Sequence, residues 1–114
     1  MKRPENPDLH KPMDLTVDGR EAYKVIVNYL EKHEMTDTGG CKAFYSPTTW
    51  KERGESYGDG SVLIVVHDGG DLAYLFNLVH DCVSYREIKQ ELDKAGFYPE
   101  SMTCWATAIY KNEL

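Results

Sequence analysis

The chain has 114 residues, 41% hydrophobic and 28% charged, and no apolar run approaches the ~20 residues that a membrane-crossing helix needs, so the composition is that of one globular domain. Thirteen Lys and Arg against nineteen Asp and Glu leave a formal charge of -6, a field that repels phosphate backbones and speaks against direct DNA or RNA binding. The same acidity suits a protein partner with a basic surface.

The N-terminal stretch Met1-Lys2-Arg3-Pro4-Glu5-Asn6-Pro7 has two positive charges with no apolar run behind them, so it does not read as a secretory signal, and the expected address is the cytoplasm. Cys41, Cys82 and Cys104 are an odd number and are expected to be free thiols. Residues 1–17, with Pro4, Pro7 and Pro12, are expected to form an extended arm, whose Met13 to Val17 alternation could pair as an edge strand. Residues 18–114 then form a single domain.

Asp18 and Glu21 have the spacing of a capping box, and Ala22, Val25, Ile26, Tyr29, Leu30 and His33 fall on one helical stripe, which predicts a helix over 19–34 ended by Thr36-Asp37-Thr38-Gly39-Gly40. Cys41 to Tyr45 reads as a short strand stopped by Ser46-Pro47. Thr48 to Gly60 reads as a polar loop. Ser61 to His67, with Val62-Leu63-Ile64-Val65-Val66, predicts a central strand covered on both faces. Leu72 to Val83 is expected to hold one or two helical turns. Ser84 and Glu87 form a second capping-box pattern, with Tyr85, Ile88, Leu92 and Ala95 as the apolar stripe of a helix over 84–95 that Gly96 ends. Phe97-Tyr98-Pro99-Glu100 reads as a turn, and Thr103 to Tyr110 as the last strand.

The order α-β-β-α-β predicts an α+β two-layer sandwich, a three- to four-stranded largely antiparallel sheet with two main helices on one face. In the last strand, Cys104, Ala106 and Ala108 are expected to face the helices, and Thr103, Trp105, Thr107 and Ile109 the other side. That second side would be bare unless the arm and the 72–83 segment cover it or a second protomer does, so a homodimer is expected through Trp105 and Ile109.

Two stretches concentrate residues with chemical potential. His67-Asp68-Gly69-Gly70-Asp71 ends the central strand with an imidazole and two carboxylates, which suits either a ligand or hydrolase site or a turn built for backbone reasons in which Asp71 caps the next segment. Trp50, Arg53, Glu55 and Tyr57 are binding-surface residue types on one connection, or else Trp50 and Tyr57 fold back as lids on the core. A zinc set of His33, Cys41, Cys82 and Cys104 lacks any Cys-x-x-Cys or His-x-x-x-His spacing, so no metal is expected; nor is any cofactor, and Cys104 reads as a core thiol. The segments Gly39-Gly40-Cys41-Lys42-Ala43-Phe44-Tyr45-Ser46-Pro47, Trp50, Arg53-Gly54-Glu55, Val65-Val66-His67-Asp68-Gly69-Gly70 and Cys104-Trp105-Ala106-Thr107-Ala108-Ile109-Tyr110 resemble small uncharacterised proteins of bacteria, their phages and other mobile elements. The resemblance implies no reaction and no catalytic residue. It implies a context in which short acidic proteins bind and block a host protein. The expected function is therefore a non-enzymatic binding or regulatory protein.

Overall fold

In a computed structural model, described over residues 5–55, 58–76 and 83–112, the chain is an α+β sandwich built on a four-stranded antiparallel sheet. A 3-10 turn, Pro7–Leu9, precedes helix α1 (Val17–Lys32), strand β1 (Phe44–Tyr45), helix α2 (Pro47–Glu52), strand β2 (Leu63–Val66), helices α3 (Gly70–Phe76) and α4 (Val83–Lys94), and strands β3 (Phe97–Thr103) and β4 (Ala106–Lys111). The strand order is β1-β2-β4-β3, so the Val62 to Val66 run is central as its composition requires.

Helix α1 starts earlier than the Asp18 signal implies, because Thr16 is the N-cap and its hydroxyl accepts the Gly19 N–H at 3.1 Å. Gly19 lets this first turn press on the sheet: a Cβ there would lie 2.5 Å from the Val62 carbonyl oxygen. The helix ends in a left-handed residue, Glu34 (φ 55°), with the Met35 N–H closing onto the Leu30 carbonyl at 2.8 Å, the bond pattern of a Schellman cap. In α4, Ser84 lies within the helix, and Glu87 accepts the Tyr29 hydroxyl at 2.8 Å, an inter-helix bond where the sequence suggested a local cap.

Two apolar layers flank the sheet. On one side Tyr23, Ile26, Val27 and Leu30 of α1, Leu72, Leu75 and Phe76 of α3, and Ile88 and Leu92 of α4 bury Leu63, Val65, Phe97 and Ile109. On the other, Trp50 covers Ile64, Val66, Ala106 and Ala108, with Tyr45, Met102, Trp105 and Tyr110 around it. This reverses the expected faces of the last strand. Ile109 and Thr107 lie under the main helices, and the alanines lie under Trp50, whose wide ring needs the space that small side chains leave. Of the stretch read as a plain loop, Trp50 and Gly58 cover the second face: a Cβ on Gly58 would approach Ile64 Cδ1 to 2.8 Å. The bare face that suggested dimerisation through Trp105 and Ile109 is thus filled from within the chain.

Two other expectations are corrected. The arm makes no edge strand over 13–17: Met13 is fully exposed, while Leu9 is buried, its carbonyl accepts the Tyr23 hydroxyl at 2.6 Å, and the Asp8 carbonyl accepts the Ala43 N–H at 2.9 Å. Phe97 to Glu100 is the first half of β3 and no turn. Pro99 misled because a ladder strand normally needs every N–H. The Asn112 N–H to Gly96 carbonyl bond sets the alternation of the β3–β4 ladder, and it leaves the main-chain groups of Phe97, Pro99 and Ser101 pointing away from β4. A missing N–H at Pro99 therefore removes no bond within the sheet.

Candidate functional site

The Trp50 region is built by a signal that the sequence does carry. Ser46 is the N-cap of α2, its hydroxyl accepting the Thr49 N–H at 3.0 Å, and Pro47 takes the first helical turn, where a missing N–H is harmless. The Ser46 hydroxyl also donates to Asp14 at 2.7 Å, tying α2 to the arm. Six helical residues then aim Trp50 at the sheet, where it is 3% exposed. Its ring packs edge-on to Tyr45 (centroids 5.4 Å apart) and against Trp105 (5.8 Å). Arg53 lays its guanidinium over Trp50 (4.9 Å) and Tyr45 (5.1 Å), and Glu55 holds it, Nε to Oε2 3.3 Å. Lys42 lies over the same tyrosine at 4.6 Å. Of the two readings of this stretch, Trp50 is the lid, and Arg53 with Glu55 seals its rim. Tyr57 lies outside the described residues. Among those described, the Trp50 Nε1–H has no acceptor.

His67 follows β2 directly, and its N–H continues the ladder to the Trp105 carbonyl at 2.8 Å. Strand alternation turns its imidazole to the helix side, where it is 2% exposed, stacks on Phe76 (5.4 Å, 23°) and sits with Nε2 2.9 Å from Thr107 Oγ1. Nδ1 has no partner among the described residues. Burial lowers its pKa from 6.5 to about 4, overcoming the opposing pull of its own carbonyl and of Asp68. The ring is therefore neutral at pH 7. A neutral imidazole at this distance could take the Thr107 proton, but Thr107 is itself 2% exposed, so the pair is closed to an outside reactant.

Asp68 and Asp71 belong to a different arrangement. Gly69 and Gly70 meet Gly39 backbone to backbone, so closely that a Cβ on Gly70 (φ 63°) would fall 2.3 Å from the Asp37 carbonyl oxygen. The Asp71 N–H donates to that carbonyl at 2.7 Å, and the Asp37 N–H donates to the Asp71 carboxylate at 3.1 Å. The Asp37 carboxylate accepts the Gly39 N–H at 2.8 Å. Thr38 connects this clasp to the arm, its hydroxyl 3.4 Å from Asp8, and the Asn6 amide donates to the Thr36 carbonyl at 2.8 Å. The glycines thus serve close packing, and Asp71 acts on a neighbouring loop from within the first turn of α3.

The clasp gathers charge that the sequence scatters over three segments. Glu5, Glu31 and Glu34 line a depression of about 520 Å3 with Asn6 and Thr36, and these two are neighbours of Asp8, whose N–H donates to the Asn6 side chain, and of Asp37; Asp71 is bonded to Asp37, and Asp68 directly precedes the Gly69 contact. Asp68 is exposed and the carboxylates of Glu5 and Glu34 stand on exposed residues too. Sequence reasoning named Asp68 and Asp71 but missed Asp8, Asp37 and the three glutamates, because two long-range contacts assemble them, the Asn6–Thr36 bond between the arm and the end of α1 and the Gly39–Gly69–Gly70 approach.

No group of three or more His, Cys, Asp and Glu able to hold a metal ion occurs among the described residues. Cys104, expected in the core, is exposed at the two-residue connection from β3 to β4; Cys41 is half-buried, and Cys82 lies outside the described residues. No described helix is long and apolar enough to cross a membrane. No family model, curated protein or solved structure matches the chain.

Proposed function

We propose that this chain is a non-enzymatic protein-binding or regulatory module of a bacterium, phage or mobile element, acting in the cytoplasm, and that its acidic pole meets a basic protein partner. The observation that carries the reading is the reciprocal Asp37–Asp71 bonding across the glycine contact, which fixes two distant loops as one rigid carboxylate-bearing surface. Carboxylates held by the backbone lose little freedom on binding, which favours a complementary cationic surface and raises the encounter rate. The formal charge of -6 extends the same field over the molecule. Trp50 contributes by holding the fold, since it has no surface to offer a partner.

Capture from host lysate on immobilised protein tests this. Raising salt from 0.1 M to 1 M shortens the screening length from about 10 Å to about 3 Å and should release the partner. The double variant Glu5→Lys/Asp68→Lys should lose capture while keeping its melting temperature. Equal capture by the double variant, or capture insensitive to salt, would remove the acidic pole from the function.

A further inference from the structure

Strand β3 is the outermost of the sheet, and on the face that Trp50 covers it carries Tyr98, Glu100 and Met102. The register sets Tyr98 opposite Tyr110, and their rings stack with centroids 5.5 Å apart and planes at 21°. One face of the Tyr98 ring is thereby covered. The other looks past the edge of the sheet, where no strand follows, and Tyr98 is 40% exposed.

Glu100 lies on the same face about 7 Å along the strand, opposite Ala108, a side chain too short to engage it. It is exposed and has no hydrogen bond or ion pair among the described residues. Asp59 adds a second carboxylate. The Ser61 N–H donates to the Gly58 carbonyl at 3.1 Å, closing a turn that carries Asp59 at its tip. Lys51 approaches Asp59 to only 3.9 Å, between side chains 76% and 85% exposed, a pairing too loose and wet to cancel the charge. Burial, then Glu100, Tyr98 and Asp59, raise the Tyr110 pKa above its ordinary 10.0, so both carboxylates act on this ring pair. Lys111 turns to the opposite face, over Phe97, and pairs with Asp18 at 2.9 Å. Arg86 and Lys89 belong to α4, which packs on that opposite face through Ile88 and Leu92.

We propose that Tyr98 and Glu100 form a seat for an arginine side chain of a protein partner. The guanidinium lies flat on the open face of Tyr98 and donates to the Glu100 carboxylate, with Asp59 strengthening the field. A planar, weakly hydrated guanidinium makes both contacts at once, whereas a compact, strongly hydrated ammonium does not. The seat is remote from the acidic pole: Tyr110 lies beyond the Leu63–Ile109 pair of the β2–β4 ladder, and Asp68 lies beyond Val66–Ala106 at its other end. Neither reading depends on the other.

The test is an NMR titration of labelled protein with an acetylated and amidated Gly-Ser-Arg-Ser-Gly peptide. Saturable shifts of the Tyr98 ring and the Glu100 side chain are expected, with a Kd below roughly 10 mM. The citrulline peptide, planar but uncharged, should not saturate in that range, and the lysine peptide should bind at least about threefold more weakly. Glu100→Gln, which keeps the size and removes the charge, should weaken binding about tenfold at unchanged melting temperature, and Tyr98→Leu about two- to fivefold. Glu5→Lys/Asp68→Lys should bind as the wild type does. No saturation below that concentration, equal binding by the citrulline or lysine peptide, equal binding by Glu100→Gln or Tyr98→Leu, or loss of binding in Glu5→Lys/Asp68→Lys would overturn the proposal.

Discussion

Replacing Trp50 with alanine separates a structural from a contact role for α2. Trp50 is 3% exposed and is the large side chain that covers Ile64, Val66, Ala106 and Ala108, so its loss opens a cavity over the centre of the sheet. Truncations of this kind cost about 3–5 kcal/mol. At ~2.1 cal/mol/K per residue, 114 residues give an unfolding entropy near 0.24 kcal/mol/K, so the melting temperature should fall by about 12–20 °C. Trp50→Phe should be far milder, because it keeps most of the ring and removes a buried N–H without an acceptor among the described residues, whose burial costs about 1–3 kcal/mol. Thermal and urea unfolding followed by circular dichroism measure both. A Trp50→Ala protein melting within about 3 °C of the wild type would refute the lid assignment. So would a Trp50→Phe protein as unstable as Trp50→Ala, since the ring and not the N–H is argued to matter.

The depressed pKa of His67 sets a pH window. Its folded value, about 4, lies below the unfolded 6.5, so the unfolded chain binds the extra proton, and His67's contribution is intact above pH 6.5 and lost as pH falls to 4, by about 3 kcal/mol in all. Urea midpoints at pH 7 and pH 4.5 should therefore diverge less in His67→Gln, which can still bond to Thr107, than in the wild type; equal divergence would contradict the assignment. Glu34, a non-glycine residue at φ 55°, caps α1 at a conformational cost, so Glu34→Gly should raise stability by about 0.5–1 kcal/mol in the same unfolding assay, and a loss of stability would show that the Glu34 side chain does more than close the cap.

How much of the fold was legible in the sequence depends on the range of the forces involved. The α1 and α4 stripes, the central Val62 to Val66 strand and the stop at Gly96 are local patterns, and the structure has them within one or two residues. Helix α2 was also local, marked by Ser46-Pro47, but the proline reads equally well as the end of a strand, and only the sheet beneath Trp50 decides between the two. The faces of β4 were inverted because a stripe of alanines admits a helix or a single large ring with equal ease. Pro99 concealed β3 because its tolerance depends on which side of the strand lacks a neighbour.

The candidate site divides along the same line. His67 and Asp68 are consecutive, yet strand alternation sends the imidazole into the core beside Thr107 and leaves the carboxylate exposed, so a motif legible as one unit supplies two unrelated parts. What joins Asp71 to Asp37 is long-range: Gly39 lies 30 residues before Gly69, and their contact sets Asp37 facing Asp71. A backbone approach that excludes even a Cβ leaves no periodicity in the sequence, only glycines that each look like a turn. The chemistry that such a contact can organise is electrostatic, since it positions carboxylates without burying them or pairing them with a base. Charge held rigidly at the surface is suited to recognition, and the buried histidine, neutral and closed in, is suited to keeping that surface in place.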